Sequence, residues 1–367
     1  NVRGVVGHEG PIAGLRNRFS LGAEYNDTDF TSLRQQAPAG VLPAVDVRAP
    51  AVLARPTAAG IFTSGNVTFV SKLKQGSLFA EDALNLTPKW LLVGGVRWDH
   101  LALDRATIQN ASGAIDRNDP RFDPVSWRAG TTWDALPGVT LYAQYTTAVS
   151  PVSSILLASV ANSRFKLTDG RAIEAGFKAS GWGGRASLTG AAYRIEQRNI
   201  ITRDPVNPTI AVQGGRQSSQ GVELVAAVTP IKPLRLSGGA SYTDARYDAL
   251  NEVVAGQTVS RRGNRPINVP AATVNASALY TVADRLTLGA FVRHASAFYT
   301  DTANTIRVAG HVVVDASVSL PVAPGVTVTA RGRNLLNAFY GEYSGYPTTN
   351  VYIGAPRSFE IALASRL

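Results

Sequence analysis

The chain is written in a two-residue rhythm. In its last segment Phe359, Ile361, Leu363, Ser365 and Leu367 fall on one face, and Ser358, Glu360, Ala362, Ala364 and Arg366 fall on the other. Trp90, Leu92, Gly94, Val96 and Trp98 oppose Gly95, Arg97 and Asp99. Further on, Val125, Trp127, Ala129, Thr131 and Trp133 oppose Ser126, Arg128, Thr132 and Asp134. Val312, Val314, Ala316 and Val318 alternate with Asp315, Ser317 and Ser319, and Val326, Val328 and Ala330 with Thr327, Thr329, Arg331 and Arg333. A period of two predicts strands with one apolar and one polar face. About fifteen such strands can be counted, the first near residues 2–9. The final strand runs to the last residue, as expected where a closing strand must be paired to remove a sheet edge.

The spacing between strands alternates too. Short turns are predicted at Leu86–Lys89, Leu136–Gly138, Ser180–Gly184, Thr229–Pro233, Val282–Arg285 and Val322–Gly325. Long loops are predicted near 28–65, 105–123, 150–168, 199–214, 248–267, 300–309 and 337–355. Short turns on one rim and long loops on the other describe a transmembrane β-barrel with periplasmic turns and extracellular loops. A large soluble all-β barrel has the same alternation with its apolar face turned inward. Aromatic residues favour lipid on the apolar face. Trp90 and Trp98 lie eight residues apart on one strand, which at about 3.3 Å per residue and a tilt near 40° separates them by roughly 20 Å, close to the ~25 Å apolar band. Trp127 and Trp133 repeat the arrangement, so these four are expected to form the membrane girdle.

Composition agrees with this picture. Hydrophobic residues make up 45% and charged residues 17% of the 367, against roughly 25% charged in an ordinary soluble domain. Mean hydropathy is +0.00, and no window approaches about 18 consecutive apolar residues, which excludes helical spans. The net charge of +10 is dispersed, without a basic cluster or a reader motif, so nucleic acid is not expected as a partner. There are 0 cysteines, hence no disulfide or thiolate metal site. With Met at 0, residue 1 is not expected to be a translational start, and no signal peptide is visible.

Several segments resemble the TonB-dependent receptor family, of the ferric-siderophore type. The most specific is Gly332-Arg333-Asn334-Leu335-Leu336-Asn337-Ala338-Phe339-Tyr340, followed by Gly354-Ala355-Pro356-Arg357-Ser358-Phe359. Ser77-Leu78-Phe79-Ala80-Glu81-Asp82 ahead of Gly94-Gly95-Val96-Arg97-Trp98-Asp99 resembles a midbarrel hairpin of that family. Gln217 to Glu223 and Gly263-Asn264-Arg265-Pro266-Ile267-Asn268-Val269-Pro270 resemble two further strand entries, so the likeness spans most of 15–367. It implies a barrel of about 22 strands, of which residues 1–367 would be a partial domain without the plug and without the segment gripped by the TonB complex. The resemblance also implies that a ferric siderophore is caught by aromatic and cationic groups of the outer loops, where aromatic planes stack on aryl rings and Arg pairs with anionic chelates. Tyr343, Tyr346, Tyr299, Tyr340, Tyr352, Arg164 and Phe165 are the loop positions suited to this. For Tyr299, Tyr340 and Tyr352 an interface girdle is the competing role. The barrel-assembly machinery and outer-membrane lipid are further expected partners. Leu367 stands where the family usually ends on an aromatic, which weakens the assembly signal.

No resident cofactor is expected, and iron would travel as a chelate. The four histidines, His8, His100, His294 and His311, show no spacing suited to a metal site. His294 and Ser296, two apart, raise an outer-membrane lipid hydrolase as one alternative, although no orienting third residue is visible. A passive porin-like channel is the other. Gly181-Trp182-Gly183-Gly184 is a hairpin turn and not a phosphate cradle. Arg97, Asp99, Glu174, Lys178, Glu223, Arg331 and Arg333 are expected to face inward, in wall networks or toward the plug that the resemblance implies, rather than to bind substrate.

Overall fold

In the computed structural model, residues 1–36, 64–150, 166–203, 211–283, 285–345 and 350–365 are described. Strands dominate them, and the main sheet holds 17 strands, of which Ile115–Asn118 and Arg121–Phe122 are short pieces laid along a loop. The other fifteen are β1 Val2–Ile12, β2 Leu15–Gln36, β3 Ser64–Thr87, β4 Trp90–Gln109 and β5 Val125–Leu136, then β6 Val139–Val149, β7 Asp169–Gly181, β8 Ala186–Arg203, β9 Ala211–Ile231 and β10 Leu234–Ala249, and finally β11 Ala272–Val282, β12 Leu286–Ala295, β13 His311–Ala323, β14 Val326–Arg333 and β15 Ser358–Ser365. Each pairs antiparallel with its sequence neighbour, from β1 on β2 through to β14 on β15. Among the described residues, β1 and β15 are the two edges of this sheet.

Tight turns join β1–β2, β3–β4, β5–β6, β7–β8, β9–β10, β11–β12 and β13–β14, so all of them lie on one rim. The longer connections all reach the opposite rim. Several loops are shorter than the sequence suggests, because strands continue into them. β2 runs to Gln36, β4 to Gln109 and β8 to Arg203. β3, with 24 residues, is about 80 Å long at ~3.3 Å per residue, far more than a bilayer needs.

The sequence hides this continuation because the faces exchange character. On β4 the even positions carry Trp90, Leu92, Val96 and Trp98, all exposed. Beyond Trp98 the same face carries His100, which meets Asp123 at 2.6 Å, and Asp104, which meets Arg121 at 3.0 Å. The odd face changes in the opposite sense, from Arg97 and Asp99 to Leu101 and Leu103 at 4% and 0% exposure. Leu101 and Leu103 join Leu73 and Leu167 in a small core, with Phe122 and Val149 against it. β10 does the same at Tyr242, above which Asp244, Arg246 and Asp248 share its outer face while Tyr247 packs inward with Ile200 and Leu250. Burying apolar side chains on the former polar face is what a strand does once water replaces lipid outside it.

Aromatic rings fill the sheet's thin spots. Phe79 lies opposite Gly22, Tyr142 opposite Gly176, Phe177 opposite Gly190, Tyr193 opposite Gly221 and Phe359 opposite Gly332. In each pair a side chain on the glycine would run into the ring or its strand. The ring covers backbone that the glycine leaves bare, which pins register through cross-strand pairs.

Candidate functional site

The long-loop rim carries the chemistry. Three of its loops, 250–271 between β10 and β11, 296–310 between β12 and β13, and 334–357 between β14 and β15, are tied together by side chains. Asn268, in the left-handed region at φ 60, bonds all three. Its backbone N–H donates to Tyr299 O at 2.9 Å, its Nδ2 donates to Ser344 O at 2.9 Å, and its Oδ1 accepts from Ser344 N at 2.8 Å and Ser344 Oγ at 3.0 Å. Glu252, 3% exposed, accepts from Arg261 Nε at 2.7 Å and Thr302 Oγ1 at 2.8 Å. Asn264 Nδ2 donates to Thr302 O at 2.8 Å, and Asn304 pairs reciprocally with the backbone of Arg265. Asp301 accepts from the Thr305 and Ile306 N–H groups and from the Thr305 hydroxyl. Burial alone would raise its pKa, but these donors outweigh it and hold the carboxyl below the ordinary aspartate range.

On this platform stands a short hairpin, Gly341–Ser344 with Val351–Ile353. Tyr343 and Tyr352 face each other in register and stack at 4.5 Å with a 12° interplanar angle. They are 47% and 52% exposed, a flat aromatic surface open to solvent. Tyr340 sits lower and is buried, at 6% exposure, with its ring stacked on His311 at 4.2 Å and lying over Gly354. From there it supports the hairpin and does not offer a free face. Tyr299 is half-buried in the Phe298–Tyr299 and Arg307–Val308 hairpin, its carbonyl engaged by Asn268. Tyr346, Arg164, Phe165 and Leu367 lie outside the described residues.

The base of this rim is the 334–340 turn. Asn334 and Asn337 both have positive φ, 46 and 49, which Asn tolerates better than most residues. Asn334 donates to Ala338 O and Ala355 O and accepts from Ala338 N, while Asn337 Oδ1 accepts from Arg357 N at 3.0 Å. The Asn-Leu-Leu-Asn motif is therefore a hydrogen-bonded knot joining β14 to the entry of β15. Leu336 and Phe339, 66% and 85% exposed, project from it.

Below the rim the inner face carries the ion-pair networks. Arg97 meets Asp99 at 2.9 Å and Glu24 at 3.4 Å, Arg128 pairs with Glu81, and Arg331 and Arg333 share Glu360 at 3.0 Å each. On the outer face Trp90 and Trp133 are direct register partners near the short-turn rim, whereas Trp98 and Trp127 stand two steps from register at the far end of the same strands. Phe359, Ile361 and Leu363 stand out from β15 at 75%, 81% and 69% exposure. His294 and Ser296 do not meet. His294 Nδ1 donates to His311 O at 2.9 Å, and Ser296 Oγ accepts from Ala272 N at 3.0 Å. Among the described residues no group of three His, Cys, Asp or Glu is placed to hold a metal. The clasp by Asn268 and the inversion of faces were not foreseen from the sequence. The positive-φ signature of Asn in a polar, Pro-bounded loop is the one local signal of the former.

Comparison with known proteins gives one consistent answer. The family profile described as "TonB dependent receptor-like, beta-barrel" matches residues 3–335. The chain is 28% identical over 301 residues to the Ferrichrome outer membrane transporter/phage receptor of Escherichia coli, covering 80% of this chain and 38% of that protein. It is 26% identical over 330 residues to the Ferrioxamine B receptor of Salmonella typhimurium, covering 88% and 43%. The chain thus spans about two fifths of the length of the curated relatives it matches. Among solved structures, the siderophore receptor PiuA of Acinetobacter baumannii superposes with TM-score 0.79 at 22% identity, covering 99% of this chain and 55% of that one. The ferric-catecholate import receptor Fiu of E. coli K12 gives 0.80 at 19% identity, covering 99% and 54%. At those identities the likeness is one of fold.

Proposed function

The chain belongs to the TonB-dependent receptor β-barrel family, and on that premise we propose that it forms the greater part of an outer-membrane barrel wall whose rim captures a ferric siderophore for energy-coupled uptake. The observation that carries the proposal is the exposed Tyr343–Tyr352 stack, held on loops that three hydrogen-bonded junctions make into one platform. A ferric chelate is large, rigid and rich in planar donor groups. It is best met by a preorganised aromatic plane, because little side-chain entropy is lost when it docks. On this reading the iron arrives already chelated, and among the described residues no group of three His, Cys, Asp or Glu is placed to hold it. Coupling to TonB belongs to the whole receptor, and recognition by the barrel-assembly machinery would fall on the outward residues of β15. The relatives named above, a transporter and receptors, support this reading over a passive channel or a hydrolase.

The test is direct binding. Protein purified from outer membranes is titrated with ferric hydroxamate and ferric catecholate chelates, with Tyr343→Ala and Tyr352→Ala alongside. Each substitution is expected to weaken the preferred chelate by about tenfold, the effect of one lost stacking face, while leaving heat-modifiable barrel migration intact. If no ferric chelate binds the parent protein, the proposal fails.

A further inference from the structure

The hairpin that presents Tyr343 and Tyr352 is fastened at its open end by one ring on another. Tyr340 leads into the strand Gly341–Ser344 and Gly354 follows the strand Val351–Ile353, so both legs pass this point. The Tyr340 ring lies across Gly354, whose N–H donates to Tyr340 O at 2.9 Å, and the same ring rests on His311 at 4.2 Å and 29°. His311 is the first residue of β13, and its carbonyl accepts from His294 Nδ1 at 2.9 Å, which ties its backbone to the wall. β13 has 13 residues, which at ~3.3 Å per residue and a tilt of about 40° lift His311 roughly 30 Å above the short-turn rim, beyond the ~25 Å apolar band.

The place beneath Tyr340 suits a neutral imidazole. Nδ1 of His311 is buried, and among the described residues it has no hydrogen-bond partner. An imidazolium donates through both nitrogens, so protonation would leave a charged N–H there without an acceptor. The groups facing the ring are Arg293 and His294 of β12 and, from the hairpin, Tyr340 and Glu342. Burial, then Arg293 and His294, outweigh the opposing pull of Glu342 and hold His311 below the ordinary histidine range. The face of Tyr340 would attract a cation, but Arg293 already supplies one at its hydroxyl. Because the folded value is lowered, the fastening is complete above the unfolded histidine pKa of ~6.5 and is lost as pH falls from there through the folded value.

We propose that His311 is a positioning residue for the rim: neutral, it locks Tyr340 and with it the Tyr343–Tyr352 plane, and once protonated it leaves its place beneath Tyr340 and frees the hairpin. Outside that place its second N–H meets water or the exposed Glu342 carboxylate. Tyr340 then loses the ring beneath it, and the two legs of the hairpin are no longer clamped at their base. The rim captures best in neutral surroundings and releases in acid ones. This regulation of capture rests on the reading of the tyrosine stack as the binding surface, whereas the lock itself does not.

A spin label on Ile353→Cys, a position 59% exposed on the second leg, reads the lock without any chelate, there being 0 native cysteines to interfere. In protein purified from outer membranes and taken from about pH 7.5 to about pH 5, the ratio of mobile to immobile label should rise about tenfold, the shift that one linked proton gives over that range. His311→Phe keeps a ring beneath Tyr340 that cannot titrate, and should hold the label immobile at both ends. His294→Gln removes one neighbouring cation and should leave the transition in place at slightly higher pH. A label that does not respond in the parent overturns the proposal, as does an unchanged transition in His311→Phe. Ferric trihydroxamate and ferric tricatecholate are titrated on the same samples. The chelate that binds should lose affinity in acid in step with the label in the parent, and not in His311→Phe. If neither binds at any pH while the label still responds through His311, the receptor reading fails and the lock stands. Equal pH dependence of chelate binding in parent and His311→Phe refutes control of capture by His311.

Discussion

Asp301 shows how a single side chain holds a segment of loop. Its carboxylate gathers two backbone N–H groups and a hydroxyl from Thr305 and Ile306, as the residue at the start of a tight turn commonly does. Its folded pKa lies below the ordinary value, so the stabilisation is complete above the unfolded aspartate pKa of ~3.9 and is lost as pH falls through the lower folded value. With 0 native cysteines to interfere, a spin label can be attached at this turn through Ala303→Cys. The label should gain mobility only below about pH 4, and Asp301→Asn should abolish that transition. Mobility that rises already near neutral pH would contradict the assignment. Asn334 and Asn337 play the same kind of part through positive φ, and they explain why the Asn-Leu-Leu-Asn sequence is a motif at all. Leu336 and Phe339 are free to project because the asparagines carry the turn.

At the scale of elements, the lower halves of the strands were readable and the upper halves were not. From Trp90 to Trp98 a lipid-facing apolar stripe against Arg97 and Asp99 gives a clean period of two, and the tight turn at Thr87–Trp90 follows directly. Beyond Trp98 the period persists but its sign reverses, so Leu101 and Leu103 look like noise to a reader following the even face. The loop expected at 105–123 contains the end of β4 and two short strands for that reason. Tyr343 and Tyr352 both read as rim aromatics, but nothing local pairs them, since their register depends on the pairing of Gly341–Ser344 with Val351–Ile353. Asn268 carries no local sign of its role, because its partners, Tyr299 and Ser344, are distant in sequence. Asn268→Ala should remove three side-chain bonds and lower the local stability of the 334–357 loop by about 2 kcal/mol. Trypsin should then cut faster at Arg307 and Arg357, with barrel migration on a gel unchanged. Equal cutting rates would show that the three loops are held independently.

For the whole molecule, the vertical placement in the bilayer follows from the tryptophans. Of 5 tryptophans, Trp90 and Trp133 lie near the short-turn rim and Trp98 and Trp127 at the far end of the same strands, so these four are expected at the two interfaces, while Trp182 sits in the β7–β8 turn at 65% exposure. In reconstituted vesicles, acyl chains brominated near the headgroup should quench all four girdle tryptophans more than chains brominated at mid-bilayer. A variant retaining Trp182 alone should be quenched weakly by either. Strong mid-bilayer quenching of Trp98 would place the membrane boundary too low.

The exchange of faces near Trp98 and Tyr242 also works as a waterline. A slip of one residue in β4 would turn Arg97 toward lipid and Leu101 toward water together, so both halves of the strand resist the same error. A slip of two keeps every side chain on its proper side, and an ordinary amphipathic strand would have no defence against it. Here such a slide would carry His100 and Asp104 down toward the hydrocarbon, or lift Trp98 clear of the interface it marks. Charges near the boundary cost about 0–1 kcal/mol, and toward the midplane the cost rises to about 2–4 kcal/mol for Arg or Lys and less for Asp, so the penalty steepens with each step. β4 and β10 share the line, so two separated parts of the wall float at one draught.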